Sequence, residues 1–184
     1  MSIANYRPTA PVGISCDSDN ESSTLHFERE FAHTSEEVWK VITEARQVQR
    51  WSPYSLDRDL TVEGPLVITM NDGSEPGQYE STVNRMNSGK LVEYTWGESL
   101  LVWEIEATDS GSRLTLHHTV PNQEWVTSAA AGWHMCMDVA ELIMNGMDFG
   151  ELAPIVGAAA MDYGWQRLAD HYKVVLAEKA EQGQ

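Results

Sequence analysis

The alternation of apolar and polar side chains first becomes regular at Thr24. Across 24–32, Leu25, Phe27 and Phe31 share one parity, and His26, Glu28 and Glu30 share the other. This is the period of two expected of a half-buried strand, with Arg29 the one exception on the apolar parity. Thr34-Ser35-Glu36-Glu37 follows, a capping box in which the Thr34 hydroxyl and the Glu37 carboxylate satisfy each other's backbone donors. Val38, Val41, Ile42 and Ala45 then recur at helical spacing. A second short helical piece is predicted over 48–51, stopped by Pro53. Six more segments alternate as strands do: 57–63, 65–70, 78–87, 90–97, 99–107 and 112–120. The breaks between them carry turn chemistry, as at Gly64-Pro65, Asn71-Asp72-Gly73, Asn87-Ser88-Gly89 and Asp109-Ser110-Gly111. Turns so closely spaced leave no room for crossover helices, which predicts an antiparallel sheet.

After Pro121 the period becomes helical. A helix is predicted over 128–145, with Gly146 as its stop. Its polar positions, His134, Asp138, Glu141 and Asn145, form a narrow stripe on an otherwise apolar surface, so the helix should lie across the sheet with that stripe solvated. A last helix is predicted over 158–179, with Trp165, Leu168, His171, Tyr172 and Val175 along one side. Residues 1–23 show no such regularity and read as a disordered N-terminal tail before a single domain at 24–180. The whole is an α+β arrangement, one antiparallel sheet around one long helix.

Charge and composition narrow the function. Twelve Lys and Arg against 28 Asp and Glu leave a formal net charge of −16, which argues against nucleic-acid binding and against docking on an anionic membrane. No apolar run reaches the ~18–20 residues of a membrane span, and the first 23 residues lack a secretory signal's apolar stretch. Cys16 in a polar segment and Cys136 in an apolar one do not suggest a disulfide, and reduced thiols in a cytoplasm are the simpler expectation. No GxSxG elbow, glycine-rich phosphate loop, HExxH or CxxC occurs, so no catalytic nucleophile, no cofactor and no metal is predicted.

Several stretches resemble a known family. Glu30-Phe31 with His33-Thr34-Ser35-Glu36-Glu37-Val38-Trp39, then Gly77-Gln78-Tyr79-Glu80, Leu91-Val92-Glu93-Tyr94-Thr95-Trp96-Gly97 and Gly132-Trp133-His134-Met135-Cys136-Met137-Asp138 occur in order. They are followed by Pro154-Ile155-Val156-Gly157, Met161, Tyr163-Gly164-Trp165 and Tyr172. Over about 24–178 this resembles the helix-grip fold of the START/Bet v 1-like (SRPBCC) superfamily. Within that superfamily it resembles the AHSA1-like proteins, named for the activator of Hsp90 ATPase. The resemblance implies a cavity between sheet and long helix that holds apolar or aromatic small molecules. Some relatives are carriers, some are cyclases or hydrolases, and one branch activates the chaperone.

The inward-facing set carries the functional expectation. Tyr94, Trp96, Trp103 and His118 come from strands, and Trp133, Met137, Ala140 and Met144 from the long helix. Aromatic walls with flexible Met suit an adaptable apolar pocket, and equally a filled core. His118 is the one polar residue among Leu114, Leu116 and Val120, read either as a ligand anchor or general base or as a core histidine satisfied by a backbone carbonyl. His117 points to the opposite face, so the two histidines cannot share a metal. His134, Asp138 and Glu141 share a helix face, but a solvated stripe explains them without a metal. Of Glu80 and Arg85, on opposite faces of one strand, Arg85 is the better inward candidate, but an edge or rim position, where its stem packs and its guanidinium reaches water, is the favoured reading. Trp51 and Trp125, beside Pro53 and Pro121, line the pocket mouth or cap the core. The ligand-binding set is therefore Tyr94, Trp96, Trp103, His118, Trp133 and Met137, for a small apolar or aromatic molecule. The alternatives are a cyclase- or hydrolase-like enzyme with His118 as base, and a chaperone-associated protein recruiting a basic partner. Trp165 and Tyr172 on the last helix could serve a homodimer.

Overall fold

A computed structural model describes residues 3–19, 21–74 and 77–182. Eight strands form one sheet: β1 (Ile14–Ser18), β2 (Ser23–Phe31), β3 (Tyr54–Leu56), β4 (Gly64–Met70), β5 (Gln78–Asn87), β6 (Leu91–Trp96), β7 (Ser99–Thr108) and β8 (Gly111–Val120). The order across the sheet is β1-β2-β8-β7-β6-β5-β4-β3, and every neighbouring pair is antiparallel. Two short helices, α1 (Ser35–Thr43) and α2 (Ala45–Val48), follow β2, and the long α3 (Glu124–Met144) lies in the curl of the sheet. The chain closes with a single turn, α4 (Ala159–Asp162), and with α5 (Trp165–Gln182). Among the described residues no helix is long and apolar enough to cross a membrane.

Local signals account for most of this. The Thr34 hydroxyl accepts the Glu37 N–H at 3.3 Å, and the Glu37 carboxylate takes the Thr34 N–H at 2.9 Å, so the capping box forms as expected. On β2 the parity of Leu25, Phe27 and Phe31 is buried, and so is Arg29. On β8, Leu114, Leu116, His118 and Val120 turn inward toward α3.

Several expectations need correction. Positions 57–63 are turn and bend, and the strand precedes them as β3. Arg85, by contrast, is exposed as the rim reading has it and bonds Glu93 at 2.7 Å; the inward alternative fails because a register shift between Val83 and Arg85 reverses the parity of β5. The helix expected over 158–179 is interrupted between α4 and α5, where Gly164 takes φ 99, a conformation open to glycine and costly to other residues.

The largest correction concerns residues 1–23, expected to be a tail. Residues 1, 2 and 20 lie outside the described residues, but the rest is tied to the fold. β1 adds to the sheet edge, with Ile14 opposite Phe27, and Tyr6 and Ile14 are buried. The segment before β1 covers the polar stripe of α3 at His134 and Asp138. Tyr6 Oη donates to Asp138 Oδ2 at 2.7 Å, and Thr9 gives Asp138 both its N–H (2.9 Å) and its hydroxyl (2.6 Å). From the sheet side Arg29 reaches Asp138 at 2.6 Å and Glu141 at 2.5 Å. His134 bonds the Tyr172 hydroxyl through Nδ1 at 2.7 Å and the Thr9 hydroxyl through Nε2 at 3.1 Å. At His134 and Asp138, 0% and 2% exposed, the stripe is therefore a buried ionic network, whereas Glu141 is half-buried and Asn145 is exposed, as a solvated face requires. Burial alone would raise the Asp138 carboxyl. The His134 hydrogen bond and the Arg29 charge outweigh it and hold the group well below the usual carboxylate range. Tyr172, expected as surplus apolar surface for a homodimer, is fully buried within the chain.

Candidate functional site

The site begins at one imidazole. Trp133, on the face of α3 opposite β8, donates its indole N–H to His118 Nδ1 at 3.0 Å. An indole nitrogen only donates, so Nδ1 is the unprotonated ring nitrogen. Burial penalises the charged ring and lowers its pKa to about 4, so at neutral pH the ring is uncharged and its one proton sits on Nε2. That nitrogen is buried and has no hydrogen-bond partner among the described residues. Trp96 stacks on the same ring, with centroids 6.0 Å apart and planes 18° from parallel. Trp133 in turn meets Trp96 edge-on at 6.2 Å. Two tryptophans thus fix both the orientation and the tautomer of a histidine that keeps one donor free.

Beside this ring lies a cavity of about 770 Å³. His118, Trp96 and Trp133 line it, with Val120 from β8 and Ala129, Gly132 and Cys136 from α3. Its far wall comes from Ile155–Gly157, α4 and Trp165. Trp125 and Met161, each 52% exposed, also line it and mark its mouth. The wall is mostly apolar, the character of small-molecule sites. Burial pushes the Cys136 thiol up to about 12, which leaves it protonated and a poor nucleophile.

The six residues singled out by sequence divide evenly. Trp96, His118 and Trp133 share the cavity wall. Tyr94, Trp103 and Met137 do not line it, and each is at most 1% exposed. They form the layer behind. The Tyr94 hydroxyl bonds that of Tyr54 at 2.8 Å and accepts the Trp103 indole N–H at 3.1 Å. Trp103 then stands perpendicular to Trp133, centroids 5.2 Å apart, and so holds in place the tryptophan that orients His118. The loop tryptophans also separate. Trp51 is buried, with its N–H on Val41 O at 2.9 Å, and caps the core, whereas Trp125 stands at the mouth. Asp72, Glu98, Met161 and Trp165 were missed as cavity residues. Asp72 and Glu98 lie in turns, where no periodicity indicates which way a side chain faces, and Met161 and Trp165 fall where the expected last helix is broken at Gly164, so its period does not carry through them.

The profile of the family described as activator of Hsp90 ATPase homolog 1-like protein matches residues 32–142. No curated protein matches the chain. Among solved structures it is similar to a conserved protein of unknown function from Enterococcus faecalis, at 14% identity over 93% of this chain and 92% of that one, TM-score 0.66. It is also similar to CalU16 from Micromonospora echinospora, at 15% identity over 89% and 95%, TM-score 0.64. An AHSA1-like protein from Aeromonas hydrophila aligns at 16% identity over 69% of this chain and 96% of that one, TM-score 0.55. At such identities the likeness shows the fold alone, which is the helix-grip arrangement.

Proposed function

The chain belongs to the activator of Hsp90 ATPase homolog 1-like family, and from that premise we propose that it binds a small apolar or aromatic molecule between sheet and α3, with the His118 Nε2–H donating to an oxygen of that molecule. One observation carries the reading: a buried donor without a partner beside a largely apolar cavity. A buried donor left unpaired costs about 1–3 kcal/mol, which a ligand carbonyl at hydrogen-bonding distance recovers. Burying an aromatic ring of ligand adds a few kcal/mol at ~25 cal/mol per Å², less the cost of ordering it. Together these support binding in the micromolar range. The state of the imidazole also weighs against a cyclase or hydrolase with His118 as base. Its acceptor nitrogen is taken by Trp133, and its low pKa makes it a weak proton acceptor.

Nile red, an apolar dye with one carbonyl oxygen, tests the proposal by fluorescence titration. Saturable binding with quenching of tryptophan emission is expected. His118→Phe keeps an aromatic ring beside Trp96 but removes the donor, and should weaken binding about tenfold, with the melting temperature confirming that the variant folds. Non-saturable uptake of the dye, or equal affinity in a folded His118→Phe variant, would sink the proposal.

A further inference from the structure

Charge of one sign gathers at the cavity. The charged side chains lining it are Asp72, in the turn between β4 and β5, and Glu98, in the hairpin between β6 and β7; among the described residues no Lys or Arg lines it. Neither carboxylate meets a cation among the described residues. Asp72 Oδ1 accepts only neutral donors, the N–H and hydroxyl of Ser74 at 2.9 and 2.6 Å. Glu98 is exposed and makes no ion pair among the described residues. Their positions are held by close packing. A Cβ on Gly157 would stand 2.6 Å from Asp72 O, so the far wall presses directly onto the Asp72 turn. The Tyr79 ring lies against Gly97, the neighbour of Glu98, and Tyr79 and Trp125 both line the cavity. Carboxylates and aromatic rings lining one cavity attract an organic cation by charge and by the ring quadrupole.

The buried end supplies the second, independent observation. His118 lines the cavity, its Nε2 is buried without a partner, and among the described residues no Lys or Arg lines the cavity to compensate an anion drawn in from water. A neutral oxygen fits this donor, and a carboxylate, phosphate or sulfonate fits neither end. Resting on the reading of the cavity as a ligand site, we infer that its ligand is an aromatic molecule bearing a protonated amine. Its ring and a neutral acceptor oxygen lie inside beside His118, and its ammonium group stays at the mouth by Asp72 and Glu98. The site selects cations over anions of the same shape.

A matched series of dansyl sulfonamides tests this, followed by energy transfer from tryptophan. Dansylamide is neutral, dansylethylenediamine ends in an ammonium, and dansylglycine ends in a carboxylate. The wild-type chain should bind the ammonium compound at least about fivefold tighter than the carboxylate at 0.15 M salt. Asp72→Asn with Glu98→Gln should bring that ratio to within about twofold, and saturable binding of dansylamide, titrated beside it, shows that the cavity of the variant is intact. Because a net charge of −16 attracts any cation, Glu178→Gln with Glu181→Gln, both exposed on α5, serves as control and should keep the wild-type ratio. Equal affinity for cation and anion in the wild type overturns the inference, as does a ratio that survives the Asp72/Glu98 double variant or collapses in the control. Saturable dansylamide binding with no charge preference would defeat the inference alone. Failure of dansylamide itself to bind saturably would defeat the cavity reading and the inference with it.

Discussion

At residue 118 an imidazole has lost its water and gained a single partner, which ties its protonation to the fold. A histidine in an unfolded chain titrates near 6.5, and His118 in the folded chain does so at about 4. Between those values the unfolded state binds more protons, so stability falls as pH drops through that window and levels off below it. The effect is on the order of 3 kcal/mol. The buried carboxylate of Asp138 acts in the same direction but lower on the scale. Its stabilisation is present above the unfolded carboxylate value near 3.9 and is lost only as pH falls further. Thermal melts between pH 7 and 4 should therefore show a smaller loss of stability for His118→Phe than for wild type. Equal losses would mean that residue 118 is not desolvated as described.

The elements show where sequence reads clearly and where it does not. Strand periods, turn residues and the Thr34 cap are local signals, so β2, β4 to β8, α1 and α3 could be placed from residues near one another in the chain. The N-terminal segment carries no such signal. β1 is a strand because of its register with β2, and Tyr6 and Thr9 are ordered by a carboxylate more than 100 residues away. One clue was available. Arg29, alone on an apolar parity, had to find anions, and the stripe on α3 offers two. A polar stripe shows that a face is polar, not what covers it. This network carries its own prediction. Arg29→Met strands the Asp138 charge in the interior and should cost about 3–5 kcal/mol in urea denaturation. Tyr6→Phe removes one hydrogen bond to a carboxylate and should cost about 1.5–3 kcal/mol. Wild-type stability in both variants would show that the N-terminal segment does not cover α3.

On the scale of the molecule, the part matched to the family, 32–142, supplies the sheet from β3 to β8, most of α3 and the imidazole floor of the cavity. Segments outside it complete the structure on two sides. Residues 3–19 close over His134 and Asp138 of the polar stripe, and residues 155–165 form the far wall of the cavity. The cavity itself was legible only in part. Alternation identified which side chains face inward, and three of the six it selected reach the wall. It could not separate a wall from the packed layer behind it, since Tyr94, Trp103 and Met137 share that inward face and differ only in depth. The central claim is that Nε2 of His118 is a free donor offered to a ligand. The direct measurement is long-range proton–nitrogen NMR of the histidine rings, with and without Nile red. The account predicts a neutral His118 protonated at Nε2 at pH 7, and a saturable shift of that nitrogen as the dye is added. A His118 ring protonated at Nδ1, or one that does not respond while the dye binds, would contradict it.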